Sequence, residues 1–128
     1  MVITVTENVS ATASNLNVGY SKQFTPTGSA YVEIEETIAA SQTDKVVNVA
    51  IDVSAVKWFC IHSTVAMTIE TNDGTTPGNT LSLLAGYAYE WHASKYDTFK
   101  LTVDVTALYV TNTTEGTLTV KVLYDSTP

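Results

Sequence analysis

The chain reads as an all-β protein, an antiparallel β-sandwich or jelly-roll-like domain of about nine short strands with essentially no helix. Three observations predict this class. Apolar and polar residues alternate with a period of two through most of the chain, the pattern of half-buried strands. The alternating runs are short and are separated by Gly, Pro, Asn and Asp, residues that form turns. Threonine fills about one position in six, and with Val and Tyr it suits a pleated, half-exposed surface.

The first 27 residues are the least periodic. Residues 2–5 can form a short strand, the stretch from Glu7 to Asn17 is polar and small, and Leu16, Val18 and Tyr20 alternate toward a strand ending near Phe24. Thr25-Pro26-Thr27-Gly28 is a turn signal. Residues 1–27 are therefore expected to be an N-terminal arm or edge strand, and residues 28–128 the β-sandwich domain.

From Tyr31 the alternation firms up. Val32 and Ile34 oppose Tyr31, Glu33 and Glu35, which places the two glutamates on a solvated face. Val47, Val49, Ile51 and Val53 alternate with Asn48, Ala50 and Asp52. Residues 57–62 are apolar on both faces, as in a central strand. Val65, Met67 and Ile69 lead into the turn-rich loop 72–79 and on to Leu81 and Leu83. Ala85-Gly86 turns the chain into Tyr87, Tyr89 and Trp91, and FKLTVDV reads as a further strand. In ALYVTNTTEGTLTVKVLYD, Leu108 and Val110 precede a polar turn ending at Gly116, and Leu118, Val120 and Val122 follow it. That pattern predicts a β-hairpin with one buried face.

Charge narrows the function classes. Thirteen acidic residues against six basic ones give a formal net charge of −7, and all six basic residues are dispersed lysines. Nucleic-acid binding draws its affinity from clustered Lys and Arg, so a nucleic-acid partner is not expected. An anionic membrane is disfavoured on the same ground, and no apolar run approaches the ~20 residues of a helical span. The N-terminus has neither a basic n-region nor a long apolar h-region, so synthesis in a cytoplasm without a secretory signal is expected. Cys60, the single cysteine, sits in Trp58-Phe59-Cys60-Ile61 and is expected to be a buried, inert thiol.

No catalytic apparatus stands out, and neither an enzyme nor a cofactor or metal is expected. The two histidines, His62 and His92, lack any HxH, HExxH or CxxC-type partner spacing. Both are expected at strand ends, that of His92 exposed. Ser63 follows His62 only in sequence, and no GxSxG elbow is present. Glu33, Glu35 and Asp52 are carboxylates without evidence of a cleft. Asn72, Asp73 and Asn79 could offer oxygen ligands to calcium, but a turn uses the same residues for backbone reasons, and the turn is the favoured reading. The sequons at Asn8 and Asn112 are read as accidental in a chain this rich in Asn, Ser and Thr.

The aromatic row is the best sequence-level argument for binding. A strand would hold Tyr87, Tyr89 and Trp91 on one face at intervals of about 7 Å. Such a row could stack on sugars, form a subunit interface or fill the core. Ala88, Glu90 and His92 occupy the opposite face, so burial is favoured over a sugar platform.

The order of elements in residues 46–125 resembles small β-sandwich virion proteins of tailed bacteriophages that decorate or cement capsids. The resemblance rests on VAMTIETN, the Gly/Asn/Pro loop, NTLSLLAG, YAYEWH and the final LYVTNTTEGTLTVKVLYD. It implies a non-enzymatic capsid decoration protein, made in the host cytoplasm and carried in the virion. Its partner would be the major capsid protein on the outer surface of the head, and it would often be a homo-oligomer, with a trimer favoured. A tail or baseplate component shares this style. A carbohydrate-binding module or adhesin using the same aromatics is the alternative of a different class.

Overall fold

The computed structural model describes residues 1–12, 14 and 19–126. Among them are twelve strands, all antiparallel, and one 3₁₀ turn at Val53–Ala55. Eight strands build two four-stranded sheets: β5 (Ala30–Ile38), β6 (Lys45–Ile51), β7 (Val56–Ser63), β8 (Met67–Thr71), β9 (Thr80–Leu83), β10 (Ala88–His92), β11 (Val105–Asn112) and β12 (Gly116–Tyr124). One sheet has the order β10-β7-β12-β5 and the other β6-β11-β8-β9. Every connection from β5 to β12 changes sheets except β8 to β9. Two four-stranded sheets wound in this order form a jelly roll.

The alternation seen in sequence sets the core. Val47, Val49 and Ile51 on β6, Phe59 and Ile61 on β7, Met67 and Ile69 on β8, Leu108 and Val110 on β11, and Leu118, Val120 and Val122 on β12 join one apolar cluster between the sheets. Ile38, Ile69, Val110 and Val120 have no exposed surface. Val105 and Leu108 both point inward although they are three positions apart, an odd spacing. A register shift between Val105 and Ala107 changes the phase, as a β-bulge does. The side chain of Asn72 serves that irregularity, its Oδ1 accepting from the Thr106 N–H at 2.8 Å and from Thr106 Oγ1 at 3.2 Å.

Three expectations about elements are corrected. The final segment is not a hairpin: β11 pairs with β6 and β8, whereas β12 pairs with β5 and β7. Its two apolar faces meet across the core rather than lying side by side, and alternation alone does not distinguish an arch from a hairpin. Gly116 lets the arch close, since a Cβ there would fall 2.4 Å from Val65 Cγ2. FKLTVDV is not a strand either, because β11 begins only at Val105. Phe99 and Leu101 still point into the core, while Asn79 Oδ1 accepts from the Thr102 and Val103 N–H groups at 3.0 and 3.4 Å. A side-chain amide stands in for a neighbouring strand. Finally, the strand count exceeds nine because the first 28 residues form four strands.

Those four strands are β1 (Ile3–Thr4), β2 (Glu7–Thr12), β3 (Gly19–Phe24) and β4 (Thr27–Gly28). β1 pairs with β4, and β2 pairs with β3. The polar stretch from Glu7 is thus a strand up to Thr12. Leu16 and Val18 lie outside the described residues. Ile3 and Val5 pack on Trp58, Cys60 and Leu123, a second apolar cluster separate from the main core. It forms on the outer face of the β10-β7-β12-β5 sheet, because Trp58 and Cys60 alternate with the inward-facing Phe59 and Ile61. The paired β1 and β4, a strap across this face, can lie this close because of Gly28, where a Cβ would sit 2.7 Å from the Tyr124 carbonyl oxygen.

Candidate functional site

The aromatic row is not one surface. Trp91 stacks on Phe99 with centroids 4.5 Å apart and planes 16° apart, and its Nε1 donates to the Asp97 carbonyl at 3.0 Å. Tyr89 lies 6.0 Å from the Phe59 ring, and its hydroxyl oxygen accepts from the Lys100 N–H at 3.0 Å. Burial raises the Tyr89 pKa, against the opposing effect of that hydrogen bond. Both rings are partly buried against the main core, where they anchor the crossing between β10 and β11. Tyr87 stands apart from them in the preceding turn, 72 % exposed.

The other candidates occupy structural posts. Alternation along β7 sends His62 and Ser63 to opposite faces of the sheet, and Ser63 Oγ donates to the Val65 carbonyl at 2.6 Å. Glu33 pairs with Lys121 at 3.4 Å on the exposed face. Asp52 Oδ1 accepts from Ser54 N and Oγ, capping the 3₁₀ turn. Asp73 Oδ1 accepts from the Thr75 N–H at 2.9 Å, as in an Asx turn. Cys60 is buried, and burial pushes its thiol pKa up. No group of three or more His, Cys, Asp or Glu side chains that could hold a metal ion occurs among the described residues. Asn112, the second sequon, is 7 % exposed. It ties the β5–β6 loop to the last arch, accepting from the Gln42 N–H at 2.9 Å and donating to the Ala39 and Thr114 carbonyls.

Within the segment expected to be an N-terminal arm or edge strand, the β2–β3 ribbon presents a surface that none of the candidate site residues marked. Its register pairs Glu7 with Phe24, Val9 with Lys22 and Ala11 with Tyr20, alternating with Asn8–Gln23, Ser10–Ser21 and Thr12–Gly19. Directly paired residues project from the same side. One face therefore carries Val9, Ala11, Tyr20 and Phe24 with the Lys22 stem, and the other only amides, hydroxyls and glycine. Gln23 Nε2 donates to Asn8 Oδ1 at 3.2 Å across the polar face. Val9 is 39 % exposed and Tyr20 56 %. The signal for this ribbon was present as period-two alternation, but the weakly apolar Val9 and Ala11 made it faint.

The base of the ribbon is a buried joint. Phe24 packs on the His92 ring at 4.4 Å between centroids, and Glu7 Oε2 lies 3.6 Å from His92 Nε2. The Glu7 side chain is only 9 % exposed and that of His92 only 2 %. The expectation of an exposed His92 is thus corrected: it faces outward from the sheet, but the strap and ribbon cover it. His92 Nδ1 accepts from the Ser94 N–H at 3.2 Å, so the neutral ring carries its proton on Nε2, toward Glu7. Burial lowers the His92 pKa, Glu7 opposes that shift and Lys95 reinforces it. Both Glu7 oxygens, His92 Nε2 and Trp58 Nε1 are buried without a hydrogen-bond partner among the described residues. Trp58 is the direct cross-strand partner of His92, which sets both side chains on the face beneath the strap.

No family model, no curated protein and no solved structure matches this chain.

Proposed function

We propose that this chain is a non-enzymatic virion structural protein of the capsid decoration type, binding the outer surface of a tailed-phage head through protein–protein contacts. The observation that carries the reading is the amphipathic β2–β3 ribbon. A two-stranded ribbon is at best marginally stable alone in water, and this one holds an apolar strip in solvent beyond the body that anchors it. A face of Val9, Ala11 and Tyr20 beside a lysine suits a shallow protein surface with an apolar centre and a polar rim. Tyr20 is the central anchor, since tyrosine is enriched among residues that dominate binding energy. The partner in this reading is the major capsid protein, and the protein assembles as a trimer around a capsid symmetry position.

The test removes the ribbon and spares its base. Replacing residues 8–23 by Asn-Gly, a two-residue hairpin turn, keeps Glu7 and Phe24 opposite each other. The variant is expected to retain the melting temperature of the parent and to lose co-sedimentation with empty heads. Undiminished binding to heads would sink the reading, and binding to purified tails instead would move the protein to the tail or baseplate.

A further inference from the structure

We propose that the Glu7–His92 joint is a pH-operated latch, which seats the N-terminal ribbon on the jelly roll at neutral pH and frees it when His92 is protonated. The inference concerns how the ribbon is held and is independent of what the ribbon docks on.

The geometry makes the neutral ring the only one that fits. His92 Nδ1 already accepts the Ser94 N–H, within a tight turn closed by the Lys95 N–H donating to the His92 carbonyl at 3.0 Å. A second proton would have to go on Nδ1, where it would face that N–H. The turn would then have to open, or the ring would have to leave its site.

The charged groups around the ring do not offset this. From β2 comes Glu7, whose carboxylate attracts an imidazolium but makes no hydrogen bond to it at 3.6 Å. From β3 comes Phe24, with the Lys22 ammonium 5.9 Å above its ring. From β7 comes neutral Trp58, and from the turn after β10 comes Lys95, whose Nζ donates to the Glu90 carbonyl at 2.9 Å. The Lys95 ammonium and the loss of hydration oppose the added charge, and among the described residues Glu7 favours it. The Lys57–Asp125 pair, 3.5 Å apart, borders the same side. An open groove of about 760 Å³ flanked by Lys22, Phe24, His92 and Ser94 brings water to the edge of the joint.

The sign follows from the direction of the shift. A histidine whose pKa is lower in the docked state than in the released state takes up a proton on release. Docking is therefore at full strength above about pH 6.5, the ordinary histidine value, and is lost as pH falls through the lowered value. The rest of the fold does not depend on the joint, because the main core lies on the other face of the sheet.

Cys60 reports on the latch in the intact protein. It is 8 % exposed in the cluster with Ile3 and Val5 and close enough to Glu7 to feel its charge, so release of the Glu7 end uncovers it. Its labelling by 4,4′-dithiodipyridine would be followed from about pH 7.5 to about pH 5, each rate divided by that of denatured protein at the same pH. Protection is expected to fall about tenfold for each unit by which docking lowers the histidine pKa. Over the same range, amide exchange should quicken in β2 and β3 and stay slow in β7 and β12. His92→Gln, which keeps a donor toward Glu7 but does not titrate, should flatten the profile. Constant protection in the parent protein would overturn the proposal. So would simultaneous loss of protection in β7 and β12, or a His92→Gln profile that still follows the parent. The two measurements on the parent decide the matter even if the variant does not fold.

Discussion

The jelly roll and the N-terminal ribbon are built from the same alternation and use it in opposite ways. On β8, Met67 and Ile69 are 3 % and 0 % exposed, because a second sheet covers them. On β2 and β3, Val9 and Tyr20 share one face of a pair of strands that no other sheet covers among the described residues, and both are exposed. Burying a large apolar side chain contributes about 1.5–3 kcal/mol. In the sandwich that free energy goes into folding, whereas in the ribbon it is still available for association. The position of an apolar strip relative to a covering layer, more than its composition, separates the stabilising part of this molecule from the part proposed to bind.

Substitutions can break or sharpen that contrast. The largest effect is expected from Ile69→Ala in the core, which should cost about 2–5 kcal/mol through lost burial and the cavity left behind, read as a lower denaturant midpoint. Asn112→Ala comes next: it strands the Gln42 N–H and the Ala39 and Thr114 carbonyls, with an expected cost of about 1–3 kcal/mol in the same measurement. Tyr20→Ala should change stability by no more than about 0.5 kcal/mol, as for an exposed site, yet weaken attachment to heads in a sedimentation assay. A global loss of stability on Tyr20→Ala would place the ribbon in the folding unit and erase the contrast.

The sequence carried the sandwich well because its residues obey one rule throughout. Val47, Val49, Ile51, Leu118, Val120 and Val122 all face inward as their alternation predicts. It did not carry the topology of the last two strands, since residues facing a common core alternate identically in a hairpin and in an arch. His92 was misplaced for a related reason. Alternation correctly sets it opposite Trp91, on the outer face, but nothing local shows that Glu7 and Phe24, far earlier in the chain, return to cover that face. The amides of Asn72, Asn79 and Asn112 were legible as turn or sequon residues, while their long-range partners were not. The ribbon was hidden by composition, with serine, threonine and asparagine filling one of its faces.

The strand order also constrains when the protein can exist. β12 lies between β5 and β7 in its sheet, and it supplies Leu123 to the cluster under the strap. A chain still emerging from the ribosome and ending before Gly116 leaves β5 without a neighbour and the strap without Leu123 beneath it. Little of the fold can therefore be locked in during synthesis. Long-range strand pairing of this kind slows folding and leaves edges open to wrong partners in the meantime. One consequence is that the β1–β4 strap is fully seated only on a chain whose last strand has been made and placed.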